Sequence, residues 1–153
     1  MSLQEGDKVD HFSCKDDNGA TFESTSLLGK KVAVVYFYPK NFTPGCTKEA
    51  CDFRDHYTEF KELGAEVIAV SSDSASSHQK FKTKYRLPFI FLADKDGQLR
   101  KLFGVKSSLL GLLPGRETFV IDKNGVLRYR FNSLNASKHM SKALSVVKQI
   151  ADE

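Results

Sequence analysis

No apolar run in the sequence is long enough to cross a bilayer, so no membrane association is expected. Blocks of like charge are missing too: Lys+Arg 23 against Asp+Glu 19 leaves a net charge of only +4. That excess is too small and too scattered to imply nucleic acid as a partner. The opening Met1-Ser2-Leu3-Gln4-Glu5-Gly6-Asp7 has neither a basic stretch nor an apolar one, so no secretory signal is expected, while a removed organelle-targeting segment stays open. Cysteine is scarce. The three residues, an odd number with no signal ahead of them, read as intracellular thiols rather than a secreted disulfide framework. No C-x-x-C or H-x-x-x-H spacing ties Cys14, Cys46 and Cys51 to His11, His56, His78 and His139, so a zinc site is not expected. Asp94-Lys95-Asp96-Gly97 starts like a calcium loop but lacks the later ligands and reads as a turn. Gly104 and Gly111 form no phosphate cradle. Internal repeats, low-complexity tracts and flexible linkers are absent as well.

What is present is an ordinary globular balance, 41% hydrophobic and 27% charged over 153 residues. A chain of this length buries roughly 70% of its unfolded surface and folds without disulfide or metal support. One domain spanning 1–153 is expected. Asp16-Asp17-Asn18-Gly19 lies between His11–Cys14 and Ala20–Glu23 and predicts an N-terminal β-hairpin. Val32–Tyr38 is a continuous apolar, β-branched and aromatic run, which suits a strand covered on both faces and ended by Pro39. After Pro44-Gly45, the spacing of Ala50, Phe53, Tyr57 and Phe60 predicts one helix that stops at Gly64. Glu66–Ser71 and Phe89–Leu92 read as further strands around a polar helix at Ser76–Tyr85. A short helix at Gln98–Phe103 and a loop at Lys106–Gly115 follow. Strands Thr118–Asp122 and Val126–Phe131 form a hairpin through Lys123-Asn124-Gly125. The last helix aligns Met140, Leu144, Val147 and Ile150 on one face. This order fits an α/β fold with a mixed central sheet flanked by helices, for which a thioredoxin-like sandwich is the natural candidate.

The chemistry concentrates in Pro39-Lys40-Asn41-Phe42-Thr43-Pro44-Gly45-Cys46. A buried strand ends, a tight loop follows, and Cys46 falls in the opening turn of a helix, where open α/β sheets place their sites. Unsatisfied N–H groups and the helix dipole there favour a thiolate. Thr43 can turn its hydroxyl toward the sulfur. The plain alternative is a small cysteine packed inertly against the sheet. Cys51 follows on the same predicted helix, with its α-carbon about 8 to 9 Å from that of Cys46 and its side chain about 140° around the axis. A disulfide needs α-carbons within about 7 Å, so the two can bridge only if the helix start unwinds. For Arg116 the plain reading is a surface cation after a Pro-Gly turn. For Cys14 it is a small strand residue, and for Lys80, Lys82, Lys84 and Arg86 a solvated helix face. His56 lies about 15 Å from Cys46 by helical rise, too far for a Cys–His hydrolase.

Pro39-x-x-x-Thr43-x-x-Cys46 matches the peroxiredoxin active-site motif. Thr43-Pro44-Gly45-Cys46-Thr47-Lys48-Glu49-Ala50-Cys51, with Phe37-Tyr38-Pro39, Val70-Ser71, Asp73, Lys84-Tyr85, Leu87-Pro88 and Pro114-Gly115-Arg116-x-Thr118-Phe119-Val120-Ile121-Asp122, resembles the peroxiredoxin Q or bacterioferritin-comigratory family. The departures are small: Val9-Asp10-His11-Phe12 replaces a common Pro-Asp-Phe segment, and Phe103 stands where tryptophan is frequent.

The resemblance implies a thioredoxin-like fold and a thiol peroxidase of the atypical two-cysteine kind. Cys46 is then the peroxidatic cysteine that becomes a sulfenic acid, and Cys51 the resolving cysteine that closes an intramolecular disulfide. Thr43 hydrogen-bonds the thiolate or peroxide, and Arg116 holds the thiolate charged and stabilises the polarised O–O bond. Pro39 shapes the loop and excludes water, and Glu49 orients Arg116. The substrates implied are hydrogen peroxide and alkyl hydroperoxides, the reductant thioredoxin or a related dithiol protein, and the cofactor none. A monomer is expected in a reducing compartment, the cytoplasm if bacterial or the chloroplast if from a plant or alga. The competing class is a redox-switched binding or chaperone-like protein using the same cysteine pair.

Overall fold

The computed structural model describes residues 3–106 and 115–153. Strands β1 (Ser13–Lys15) and β2 (Thr21–Glu23) pair as an antiparallel hairpin. A five-stranded mixed sheet follows, built from β3 (Val32–Phe37), β4 (Ala65–Ser71), β5 (Ile90–Ala93), β6 (Glu117–Ile121) and β7 (Leu127–Asn132) in the order β5-β4-β3-β6-β7. β3 runs parallel to β4, with Val34 opposite Val67, and antiparallel to β6, with Val35 opposite Phe119. Helices α1 (Pro44–Asp55), α2 (Tyr57–Glu62), α3 (Ala75–Tyr85), α4 (Gln98–Phe103) and α5 (His139–Ala151) fill the connections and the C-terminal end.

Period-two alternation in β3 explains the layering. Val34 and Tyr36, with Tyr38 just beyond, face a core completed by Ala50 and Phe53 of α1, Phe60 of α2, Phe81 of α3 and Ala143, Leu144 and Val147 of α5. Ala33, Val35 and Phe37 face the other core, with Leu99 and Phe103 of α4 and the hairpin residues Phe12, Cys14 and Phe22. Every residue of β3 is buried, as a strand covered on both faces requires.

Two local outcomes differ from the sequence reading. The single helix expected from Ala50 to Phe60 breaks at His56. There the imidazole Nδ1 lies 3.1 Å from the Asp52 carbonyl that the His56 backbone N–H would reach in a continuing helix, and that N–H turns to the Phe53 carbonyl instead. The break lets Tyr57 turn onto β4, where its hydroxyl donates to Glu66 at 2.6 Å. The helix read as polar, α3, buries His78 and Phe81 completely. Asp94 acts as a turn and cap: its carboxylate accepts from the N–H groups of Leu99 and Arg100 at 2.9 and 3.0 Å. Of the loop expected at Lys106–Gly115, residues 107–114 lie outside the described residues.

Candidate active site

The β3–α1 connection carries the site because of what its residues cannot do. Pro39 follows directly on the strand, and Pro44 occupies the opening position of α1, where its missing N–H costs no helical bond. Thr43 precedes it in an extended conformation, φ −79° and ψ 152°. Cys46, third in the helix, is 1% exposed. Its own N–H has no helical carbonyl to reach, so thiol and free donor sit together at the positive end of the dipole.

Arg116, just ahead of β6, reaches across to this turn. Its Nη2 donates to Cys46 Sγ at 3.3 Å, its Nη1 to Glu49 Oε1 at 2.5 Å and its Nε to the Leu134 carbonyl at 3.1 Å. The planar guanidinium thus meets three acceptors from three segments, and a rigid fork of several donors is what arginine supplies and lysine does not. Glu49, one helical turn after Cys46, is fully buried. Burial pushes its carboxyl up, to about 8, against the pull of Arg116 toward the charged form. Burial also works against the charge of Arg116, but Glu49 and Cys46 outweigh it and hold the guanidinium charged. Gly45 leaves room for this contact: a Cβ there would lie 3.1 Å from Arg116 Nη2.

The remaining sequence-predicted residues are placed as follows. Pro39 is half-buried at the loop entrance. The Thr43 hydroxyl donates to the Lys40 carbonyl at 2.9 Å, closing the loop on itself, which leaves its oxygen lone pairs as its remaining polar capacity. Cys51 is half-buried on the same unbroken helix and, like Cys46 and Cys14, a free thiol. Cys14 stands apart in the hairpin, where its thiol points to the Ala93 carbonyl at 3.5 Å. Burial, then Asp94, pushes it up to about 11.

Sequence reasoning missed the supports. Asn41 accepts from the Tyr38 hydroxyl at 2.5 Å, donates through Nδ2 to His78 Nδ1 at 3.0 Å and to Ser77 at 3.1 Å, and donates its backbone N–H to Asp73 at 2.9 Å. Arg100 of α4 bridges the Tyr38 carbonyl and the Gly115 carbonyl, the residues leading into the loop and into Arg116. His139, fully buried at the start of α5, stands 3.6 Å from Glu49 Oε2. The available signal was periodicity: His78 is in register with Phe81, and His139 with Ala143 and Val147, on the buried stripes of their helices.

Residues 6–130 match the AhpC/TSA family. The chain is 45% identical over 149 residues to the chloroplastic peroxiredoxin Q of Oryza sativa subsp. japonica, an alignment covering 97% of this chain and 68% of that protein. Against the chloroplastic peroxiredoxin Q of Arabidopsis thaliana it is 45% identical over 147 residues, covering 95% and 68%. The crystal structure of the peroxidoxin BcpB of Mycobacterium tuberculosis superposes with a TM-score of 0.88 at 37% identity, covering 97% of this chain and 98% of that one. The chain belongs to the peroxiredoxins, in the Q branch. Peroxiredoxins are thiol-dependent peroxidases, and this member has the thioredoxin-like α/β fold of its structural neighbours. The crystal structure of a cysteine-to-serine mutant of PrxQ from Xylella fastidiosa superposes equally well, with a TM-score of 0.89 at 25% identity, covering 97% and 98%. Among the described residues, Cys46 is the cysteine on which a guanidinium and the free N–H groups of a helix start converge.

Proposed function

We propose that the chain reduces hydrogen peroxide and organic hydroperoxides through Cys46 and Cys51. The observation that carries the reading is the 3.3 Å contact from Arg116 to a buried Cys46 sulfur in the first turn of α1. The Cys46 thiolate attacks the terminal peroxide oxygen. An S–O bond forms as the O–O bond breaks, the alcohol or water leaves with a proton, and Cys46 becomes a sulfenic acid. Arg116 and the Cys46 N–H are aimed where charge develops, and the Thr43 oxygen is free to accept the peroxide O–H. Pro39 shields the loop, and Glu49 holds Arg116 in orientation.

Resolution follows when the Cys51 sulfur attacks the sulfenic sulfur, expelling water and forming the Cys46–Cys51 disulfide. Intact, α1 keeps the two sulfurs on different sides of its axis, so its first turns come apart at this step. A dithiol protein of the thioredoxin class returns the pair to thiols by exchange. Both cysteines lie in one chain, so the bridge can close within a monomer, and the sulfur chemistry as written calls on no metal or cofactor. The plant relatives are named chloroplastic, and the chemistry suits that compartment or the reducing cytoplasm of a bacterium. Among the described residues no helix is long and apolar enough to cross a membrane.

Treating reduced protein with one equivalent of hydrogen peroxide and measuring intact mass and free thiols tests this. Loss of two hydrogens and two thiols, mapped to Cys46 and Cys51, is the expected result, with turnover restored by a thioredoxin system. In Cys51→Ser, one peroxide is still consumed and no bridge forms. Turnover surviving in Cys46→Ser would overturn the assignment. A disulfide that exposes apolar surface and captures an unfolded client without peroxide turnover would favour a redox-switched binding protein instead.

A further inference from the structure

We propose that His139 is a positioning residue of the peroxidatic site, holding Arg116 against Cys46 through the Ser133–Leu134 backbone and through Glu49. The inference rests on Cys46 being the attacking thiol and adds a residue that the active-site motif does not contain.

The hydrogen bonds fix the tautomer. His139 Nε2 lies 2.8 Å from the Ser133 carbonyl, which can only accept, so Nε2 carries the proton. Burial keeps the ring neutral by lowering His139 to about 4, and Nδ1 is then a bare lone pair. The Thr118 hydroxyl, 2.7 Å away, donates to it. The imidazole is therefore clamped between β6 and the segment that leaves β7, with the Phe131 ring edge-on at 4.8 Å.

Each end of that clamp bears on Arg116. Ser133 donates its N–H to the Arg116 carbonyl at 3.2 Å and accepts from His139, so the peptide units on both sides of its Cα are held. The next carbonyl along, Leu134, receives Arg116 Nε at 3.1 Å. The Leu134 side chain is 48% exposed and cannot anchor this backbone itself. On the other side, His139 Nδ1 faces Glu49 Oε2 at 3.6 Å and has no proton to offer it. At that distance Glu49 Oε2 has no hydrogen-bond partner among the described residues, and the hydrogen bond of this carboxyl runs from Arg116 to Oε1. Of the three acceptors gripping the guanidinium, His139 thus holds the residue beside one, Leu134, and packs against the carboxyl of a second, Glu49.

The test compares His139→Ala, His139→Gln and Thr118→Val in the full chain. It reads the rate of Cys46 alkylation by iodoacetamide and kcat/KM for hydrogen peroxide across pH. In His139→Ala both rates fall about tenfold or more at neutral pH, the scale expected when a catalytic group is displaced by a fraction of an ångström or more. The alkylation deficit closes as pH rises, because it reflects the thiolate fraction. The peroxide deficit closes only in part, because Arg116 also acts on the O–O bond. His139→Gln recovers most of the loss, since its amide can donate to Ser133 and accept from Thr118. Should His139→Ala fail to fold, Thr118→Val, which removes only the clamp on Nδ1, shows the same pattern with a smaller amplitude. Rates within twofold of wild type in the folded variants, or a loss that neither glutamine nor pH relieves, would overturn the proposal. Turnover surviving in Cys46→Ser would instead remove the underlying assignment and leave the geometry of His139 without this role.

Discussion

The two flanks of Cys46 are built from different materials. On the Arg116 side the contacts are charged and cross the molecule, joining α1, β6 and the segment after β7 through Glu49, Leu134 and His139. On the loop side they centre on the neutral amide of Asn41, with the Asp73 carboxylate and the Arg100 guanidinium holding the backbone at Asn41 and Tyr38. Asn41 is threaded between Tyr38 and His78, and Phe42 next to it adopts φ +68°, with its ring edge-on to Phe81 at 5.1 Å. A bulky residue in that left-handed region is strained by about 1 to 3 kcal/mol and persists only where its surroundings hold it. The difference separates two tasks. One flank sets how reactive the sulfur is, and the other sets how firmly the loop and the start of α1 stay folded.

Removing the charge from the first flank gives the largest effect expected. Arg116→Met keeps the bulk and deletes the donors to Cys46, so kcat/KM for peroxide should drop by about 10² to 10³, the scale seen when a donor aimed at developing charge is lost. Single-turnover kinetics at saturating reductant would check it, and a variant within threefold of wild type would erase the distinction between the flanks. Breaking the second flank should act elsewhere. Asn41→Ala removes the bonds to the Tyr38 hydroxyl, His78 Nδ1 and Ser77 and leaves the first two only their long 3.4 Å contact with each other in a buried site, costing about 1 to 3 kcal/mol. Urea unfolding should report that loss, while disulfide closure after the first peroxide step speeds up and the first step itself changes less. A slower closure would contradict the assignment of this flank to folding.

Much of this was legible from local pattern, and the exceptions share a cause. Val32–Tyr38 announces a doubly covered strand because all of its residues are apolar, and the motif around Cys46 places the site because loop, helix start and thiol are contiguous. Arg116 is found only because its Pro-Gly-Arg segment belongs to the same family pattern. The break at His56 is hidden, since apolar spacing runs straight from Phe53 through Tyr57 to Phe60 while the side chain of His56 takes the Asp52 carbonyl. The hydroxyl of Thr43 is similar: spacing sets its position but not which acceptor it finds. His139 meets Thr118 and Glu49, and His78 meets Asn41, far away in sequence, so only their register with Ala143 and Phe81 marks them as buried.

Those two histidines allow the comparison to be read by pH. Burial lowers both from the ordinary value of 6.5, His139 to about 4. A lowered histidine binds its proton more readily in the unfolded chain, so its contribution to stability is complete above about 6.5 and falls away as pH drops toward its folded value. Each group adds a slope of at most about 1.4 kcal/mol per pH unit within that window. Glu49, raised to about 8, acts oppositely: its shift stabilises most below its ordinary 4.5 and the benefit is lost as pH rises through 8. Between pH 7 and 4 Glu49 and the histidines pull in opposite directions, so the readout is a difference: as pH falls, the urea midpoint of His139→Gln should gain relative to that of the wild type. An unchanged slope in that variant would mean that His139 is already protonated in the native protein.

The smallest effect expected comes where the flanks meet, at Gly45. Alanine is preferred over glycine inside a helix by up to about 1 kcal/mol, so Gly45→Ala should leave stability equal or slightly higher. Its new Cβ, however, would come 3.1 Å from Arg116 Nη2 and 3.9 Å from the Cβ of Ala136. The guanidinium is the more yielding neighbour, and the atom that gives way is the donor to Cys46. Peroxide reactivity should then fall a few-fold while thermal stability holds, and Cys51 reactivity should not change. Stability and activity moving together would show that the helix start acts as one body with the Arg116 contact. Moving apart, they show that Gly45 is kept for clearance at the sulfur.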